Sequence, residues 1–251
     1  MIHSFLLIGQ SNAAGRGFFE EAAPLDTLDG RIKVLRNGRW QTAFRPINPD
    51  RSFSGTCLAE SFAKEYATAH KDAQVGIIPC ADGGTQISQW LPGEILFDNA
   101  VNCARLAMRT STLKGILWHQ GESDCTKEKI SLYAERFTLI METLRAELGM
   151  SDLPILIGGL GDYLADHEKW PNIRNNFGEV NEVLVSLGNS FPNAAFVSAQ
   201  GLSGNPDNLH FSAPALVEFG VRYYKAFEKF DTNDTEASEK SDTKRSEIEL
   251  L

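Results

Sequence analysis

The sequence predicts an α/β domain: a mostly parallel sheet of about five strands between two layers of helices. Three observations carry that expectation. Short apolar runs recur along the chain at intervals of roughly 25–40 residues, as strands buried on both faces do. Stretches with apolar residues at helical spacing lie between the runs. Nearly every run also stops at glycines or at a polar loop, and in a parallel sheet with right-handed crossovers such exits share one rim.

The first strand covers 4–8 and ends in Gly9-Gln10-Ser11-Asn12-Ala13-Ala14-Gly15-Arg16-Gly17, a tight, glycine-rich turn. Residues 32–36 and 39–41 read as a small hairpin, because Asn37-Gly38 supplies the positive φ of a type I′ turn. Leu58, Phe62, Ala63 and Tyr66 predict a helix over 57–70. A second buried strand, 74–79, leads into Cys80-Ala81-Asp82-Gly83-Gly84-Thr85, and a helix follows over 97–110. The third strand, 115–118, enters His119-Gln120-Gly121-Glu122-Ser123-Asp124. A long amphipathic helix over 129–148 then finds its stop at Gly149. A fourth strand (154–160), a helix (172–188) and a fifth strand (194–198) precede Asp207-Asn208-Leu209-His210-Phe211-Ser212. Ser212 and Pro214 suit the start of a last helix, 213–230.

The composition bounds the function. The 251 residues carry a net charge of −9, and seven acidic against three basic residues lie from position 231 onward. That stretch reads as a disordered acidic extension, 231–251, after a folded domain of 1–230. A mildly acidic body argues against nucleic acid or an anionic membrane as partner. No apolar run approaches the roughly 18–20 residues of a membrane span. With no secretory signal visible, a cytoplasmic location is the expectation. Cys57, Cys80, Cys103 and Cys125 contain no CxxC, which leaves zinc and redox motifs unsupported and buried free thiols as the expectation. Oligomeric state is not legible.

Four strand exits carry reactive or small residues: Ser11, Gly83-Gly84, the 119–122 stretch, and Asp207 with His210. Acyl transfer to water needs a nucleophile, a base to take its proton, an acid to orient that base, and donors facing the oxyanion. Each role has a candidate here. Each candidate also has a plainer reading. Ser11 or Asn12 suits a helix cap, Asp207 and His210 a local turn, and Gly83-Gly84 a simple bend. For His119, between Trp118 and Gln120, a buried, hydrogen-bonded histidine is the favoured reading over a base.

The blocks Gly9-Gln10-Ser11-Asn12 with Ala14-Gly15-Arg16-Gly17, Gly83-Gly84-Thr85 with Trp90, Trp118 to Asp124, and Asp207-Asn208-Leu209-His210-Phe211 occur in that order. Together they resemble the carbohydrate-esterase branch of the SGNH hydrolase superfamily, which includes acetylxylan esterases and sialate O-acetylesterase-like proteins. The resemblance spans about residues 4–225. It implies a flavodoxin-like three-layer fold, no metal and no organic cofactor. It implies Ser11 as nucleophile, His210 as base and Asp207 as orienting acid. The implied oxyanion donors are the Ser11 N–H, an N–H of Gly83 or Gly84, and the Gln120 amide, with Gln10 and Asn12 beside the substrate. Glu122 is either the triad acid in place of Asp207 or a buried brace for its loop; the short reach from Asp207 to His210 favours Asp207.

The implied activity is hydrolysis of small acyl esters, acetyl foremost, of a carbohydrate-like substrate. A lipase or thioesterase of the wider superfamily, and an inactive carbohydrate-binding protein on the same fold, are the alternatives. The loops 18–29, 44–54 and 163–176 would shape the pocket. Trp40, Trp90 and Trp170 stand as candidate sugar platforms or as packing residues.

Overall fold

A strand whose successive side chains all have to be buried must lie at the centre of a sheet covered on both faces. β1 (Ile2–Gly9) is that strand: Phe5, Leu6, Leu7 and Ile8 are all buried. The computed structural model describes residues 1–248, with side chains up to Asp231. Around β1 stand β2 (Ile32–Arg36), β3 (Arg39–Thr42), β4 (Gln74–Pro79), β5 (Thr112–His119), β6 (Ile155–Gly158) and β7 (Ala194–Val197), in the order β3-β2-β4-β1-β5-β6-β7.

The sheet therefore has seven strands where about five were expected. The difference is the hairpin, which does not stand apart. β2 joins the sheet edge parallel to β4, with Ile32 opposite Val75 and Val34 opposite Ile77, and β3 closes the edge antiparallel. Ile32 and Val34 bury their side chains under the same helices as Phe5, and this burial holds the hairpin in the sheet. Its turn has Asn37 and Gly38 at φ 50° and 73°, as the sequence required.

Two apolar layers sandwich the sheet. Phe5 and Leu7 pack with Phe62 and Tyr66 of α2 (Leu58–Ala69; α1 is the short turn Ser11–Ala14) and with Phe219, Tyr223 and Phe227 of α6 (Ala213–Ile248). Leu6 and Ile8 face α3 (Ile95–Met108), α4 (Lys127–Leu148) and α5 (Pro171–Ser190) through Val101, Phe137, Met141 and Leu184. At about 1.5–3 kcal/mol for each large apolar side chain fully buried, these two layers supply the main stabilisation. The ends follow the expected rules: Thr126 caps α4, Gly149 ends it in the left-handed region, Pro171 opens α5, and the Ser212 hydroxyl accepts from the Ala215 N–H. The expected acidic extension, 231–251, lies almost wholly outside the residues whose side chains are described.

The connectivity places the site. From β1 the chain builds outward on one side and returns to β4, then crosses to β5 on the other side of β1. The strand order reverses there, and the carboxyl end of β1 opens onto the crevice that such a reversal creates.

Candidate active site

Gly9 ends β1 at φ 127° and lies so close to β5 that a Cβ there would come within 2.0 Å of the His119 carbonyl oxygen. Only glycine permits that approach, and it turns the chain straight into α1. Ser11 is the first residue of that turn and caps nothing: the residue before it, Gln10, is the N-cap and makes no side-chain capping bond. The Ser11 N–H, at the helix start, has no intrahelical acceptor. Its hydroxyl lies 3.0 Å from His210 Nε2.

His210 comes from the loop before α6. Its Nδ1 is 2.6 Å from Asp207 Oδ2, while Asp207 Oδ1 accepts the backbone N–H groups of Leu209 and His210 at 2.9 and 3.0 Å. Partial burial pushes the Asp207 carboxyl up, but the bond to the His210 ring and the two backbone donors outweigh it and hold the pKa at about 2. Asp207 thus stays an anion under its imidazole, and the three side chains form one hydrogen-bonded line.

Glu122 is in the same neighbourhood but not in that line. It is buried, and its Oε1 accepts from Asn12 Nδ2 at 2.5 Å and pairs with His119 Nε2 at 3.1 Å. Burial raises its carboxyl, yet the charge and hydrogen bond of His119 and the amide of Asn12 hold it below its ordinary value. The Asn12 side chain also donates to the Leu209 carbonyl (3.1 Å) and accepts from the Phe211 N–H (3.0 Å). Asn12 and Glu122 therefore brace the His210 loop against the Ser11 turn. Asn12, expected beside the substrate, is fully buried and does not line the cleft. His119 is a sealed histidine packed edge-on against Phe211 and Phe219.

Gln120 does not face the cleft either. It is 0% exposed, and its Nε2 is taken by Asp124 Oδ2 (2.6 Å), the Thr85 carbonyl (3.1 Å) and Gln10 Oε1 (3.1 Å). Gln10 carries the consequence. Its Oε1 also accepts the backbone N–H groups of Gly121 (3.3 Å) and Ser123 (3.2 Å). Backbone N–H groups can only donate, so this end of the Gln10 amide must be oxygen. The NH₂ end is left without a partner among the described residues, on a side chain that lines the cleft next to Ser11.

Of the two glycines, Gly83 gives its N–H to Asp50 Oδ2 at 2.8 Å, whereas the Gly84 N–H has no partner among the described residues. Three free donors thus border the cleft: Ser11 N–H, Gly84 N–H and the Gln10 amide.

The cleft encloses about 570 Å³. Besides Gln10, Ser11, Gly83, Gly84, Glu122 and His210, its wall includes Arg16, Arg51, Phe53, Lys129 and Trp170. Phe53 and Trp170 are 68% and 43% exposed, so two aromatic rings from separate loops border it. Trp90 is buried and Trp40 packs beneath the sheet against Gly76, which leaves Trp170 as the one candidate tryptophan platform on the cleft. Arg16, Asp50, Phe53 and Lys129 were not singled out from the sequence. Arg16 lies inside the Gly15-Arg16-Gly17 block, and Asp50 and Phe53 lie in the 44–54 loop expected to shape the pocket, whereas Lys129 carried no signal.

Comparison with known proteins identifies the family. The family model described as "Carbohydrate esterase, sialic acid-specific acetylesterase" matches residues 1–229. A relative from Arabidopsis thaliana named "Probable carbohydrate esterase" is 28% identical over 249 residues, 89% of each chain. A solved structure from that organism superposes with a TM-score of 0.79 at 26% identity, covering 90% of this chain and 98% of its own. NanS shares the fold at a TM-score of 0.72 and 19% identity, over 92% of this chain and 98% of its own. A carbohydrate acetylesterase from Xanthomonas citri shares it at 0.57 and 20%, over 89% of this chain and 55% of its own. Fold, strand-exit chemistry and a match over nine-tenths of the chain converge: this protein belongs to the carbohydrate esterase family, whose members are carboxylic ester hydrolases.

Proposed function

We propose that this protein removes small acyl groups, acetyl foremost, from a carbohydrate through a serine acyl-enzyme. The observation that carries the reading is the continuous hydrogen-bonded line from Ser11 Oγ through His210 to Asp207, at 3.0 and 2.6 Å. Ser11 Oγ attacks the ester carbonyl as His210 Nε2 takes its proton. Asp207 accepts from the Nδ1–H of His210 and stabilises the imidazolium. The carbonyl oxygen becomes an oxyanion held by the Ser11 N–H, the Gly84 N–H and the Gln10 amide, each worth about 3–4 kcal/mol of barrier. The intermediate expels the sugar alkoxide, which leaves as the alcohol with the proton from His210. Water then gives a proton to His210, attacks the acyl carbon and releases the acid, restoring Ser11.

The family description supports an acetylated sialic acid as substrate. Arg51 and Lys129, both on the cleft wall, are cations that the carboxylate of such a sugar would meet. The test is hydrolysis of acetylated sialic acid beside an acetylated neutral sugar and a chromogenic acetate, butyrate and octanoate. Acetate turnover that disappears in Ser11→Ala, with the fold intact by circular dichroism, is the expected result. Turnover retained by Ser11→Ala refutes the nucleophile. A rate that rises with acyl length moves the protein to the lipase class, and equal rates on the two sugars remove the preference for the acidic one.

A further inference from the structure

The side chains of Arg16, in the cleft wall, and of Asp50 are both buried, and neither has a part in the chemistry above. They form a two-point ion pair: Arg16 Nη1 donates to Asp50 Oδ1 at 3.0 Å and Nη2 to Oδ2 at 2.7 Å. What surrounds the pair is more telling than the pair itself. Asp50 Oδ1 also accepts the Ser54 hydroxyl (2.7 Å), and Oδ2 accepts the Gly83 N–H (2.8 Å). Arg16 Nη1 also donates to the Gly15 carbonyl (2.8 Å), and the Arg16 carbonyl accepts the Asn205 amide (2.9 Å) from the loop that carries His210. One buried pair therefore ties the Ser11 turn, the Gly83-Gly84 turn and the 44–54 loop together, and reaches the His210 loop through Asn205.

The 44–54 loop grips the glycine turn residue by residue. Asn48 pairs both ways with the Ala81 backbone, at 2.9 and 3.0 Å. Arg51 binds the Asp82 carboxylate (2.8 Å) and the Gly83 carbonyl (3.0 Å), and Asp50 takes the Gly83 N–H. The fit is close: a Cβ at 83 would lie 2.4 Å from Arg16 Nη2, 2.9 Å from Asp50 Oδ2 and 3.4 Å from Ser11 Cβ, so a side chain there would displace the ion pair. The 44–54 loop, which supplies none of the reacting groups, thus holds both N–H and C=O groups of the 81–83 backbone, and the next N–H, that of Gly84, has no partner among the described residues.

We propose that the Arg16–Asp50 pair is a positioning device for the oxyanion site. By engaging the Gly83 N–H it fixes the Asp82–Gly83 peptide, from which the chain enters Gly84, so that the Gly84 and Ser11 N–H groups meet one carbonyl oxygen. This rests on the reading of Ser11 as nucleophile. The pair touches no reacting atom, and its contribution is confined to the moment when charge develops on that oxygen.

Replacing the carbonyl oxygen of an aryl acetate by sulfur supplies the test, because sulfur is a weak hydrogen-bond acceptor and draws little from oxyanion donors. Asp50→Asn keeps an oxygen but loses the charge; Arg16→Lys keeps the charge at Asp50 but loses the fork. Both are assayed on the oxygen and sulfur esters beside wild type and Ser11→Ala, with thermal unfolding to identify folded protein. In either variant the oxygen ester's kcat is expected to fall about 10- to 100-fold at nearly constant KM, with the sulfur ester slowed less than about threefold. Equal slowing of the two esters, or no slowing in a folded variant, overturns the positioning role. Wild-type turnover that persists in Ser11→Ala overturns the nucleophile reading, and this inference with it. Ser11-dependent turnover with equal slowing overturns the inference alone.

Discussion

Among the described residues, two acid–histidine pairs join residues three apart at the rim of the sheet, and they have opposite fates. Asp207 and His210 stand on a loop where the ring reaches Ser11 and the carboxylate is half open to water. His119 and Glu122 are sealed, at 0% and 1% side-chain exposure, between Phe211, Phe219 and Asn12. Both pairs have the residue types and the reach of a catalytic dyad. What separates them is whether the imidazole nitrogen far from the carboxylate meets a hydroxyl on the cleft wall. For His210 that nitrogen is Nε2, which meets Ser11 Oγ; His119 pairs with Glu122 through Nε2, and its far nitrogen, Nδ1, is buried with no partner among the described residues. The two glutamines repeat the contrast, since Gln10 turns its amide to the cleft and Gln120 spends its own on Asp124, Thr85 and Gln10. In this site the sealed member of each pair holds the scaffold on which the open member works.

The largest effect expected from breaking this contrast is on the open histidine. His210→Ala should lower kcat for an acetate ester roughly 10⁴- to 10⁶-fold, measured by steady-state assay with little change in the unfolding midpoint. The acids come next. Asp207→Asn should cost roughly 10²- to 10⁴-fold in kcat, because it leaves the imidazole without its anionic partner. Glu122→Gln should instead lower stability by about 3–5 kcal/mol in urea unfolding, the cost of breaking a buried carboxylate's pairing with His119 and Asn12, with kcat of the folded fraction within about tenfold. The reverse ranking in rate would transfer the triad acid to Glu122. The glutamines follow at smaller scale. Gln10→Ala should slow turnover about 10²-fold. Gln120→Ala should slow it less than about tenfold, since the Gly121 and Ser123 N–H groups still anchor the Gln10 oxygen. Equal losses would mean that Gln10 acts only through the bond to Gln120.

The exposed half of these contrasts was legible in the sequence; of the sealed half, His119 was read as a buried, hydrogen-bonded histidine and a buried brace was one of the two readings of Glu122, whereas Gln120 and Asn12 were expected at the substrate. Ser11, Asp207 and His210 each follow a strand or precede a helix, so a parallel sheet brings them to one rim without knowledge of packing. Gln120 and Asn12 lie in the same short blocks, but burial decides whether an amide faces water or the core, and burial depends on elements far away in sequence. Asn12 meets Glu122 110 residues on and Phe211 199 residues on. The hairpin at 32–42 was recognised by its turn, yet its place in the sheet depended on pairing with β4, a contact that local pattern does not encode. Asp50 and Arg16 escaped for a related reason. A charged residue in a polar loop is ordinarily solvated, and only the meeting of two distant loops makes this pair buried and tight.

The smallest effect expected concerns acid stability, where the open pair again differs from the sealed one. The Asp207 carboxyl has a folded pKa of about 2 against an unfolded value of 3.8. A carboxyl depressed in this way binds its proton more readily when unfolded, so unfolding is favoured as protons become available. Its stabilising contribution is complete above about pH 4 and is lost as pH falls toward about 2. Asp207 is half exposed, so solvent screens most of that contribution and the difference should be modest. Urea unfolding of wild type and Asp207→Asn should therefore show a small gap that is constant from about pH 5 to 7 and closes toward about pH 2. The same comparison with Glu122→Gln should show a wider gap over the neutral range, because the buried carboxylate is paired with His119 and Asn12 and has no water to replace them. A gap for Asp207→Asn as wide as that for Glu122→Gln would mean that the loop carrying His210 is as closed as the core beneath it, and the distinction between an open working pair and a sealed bracing pair would fail.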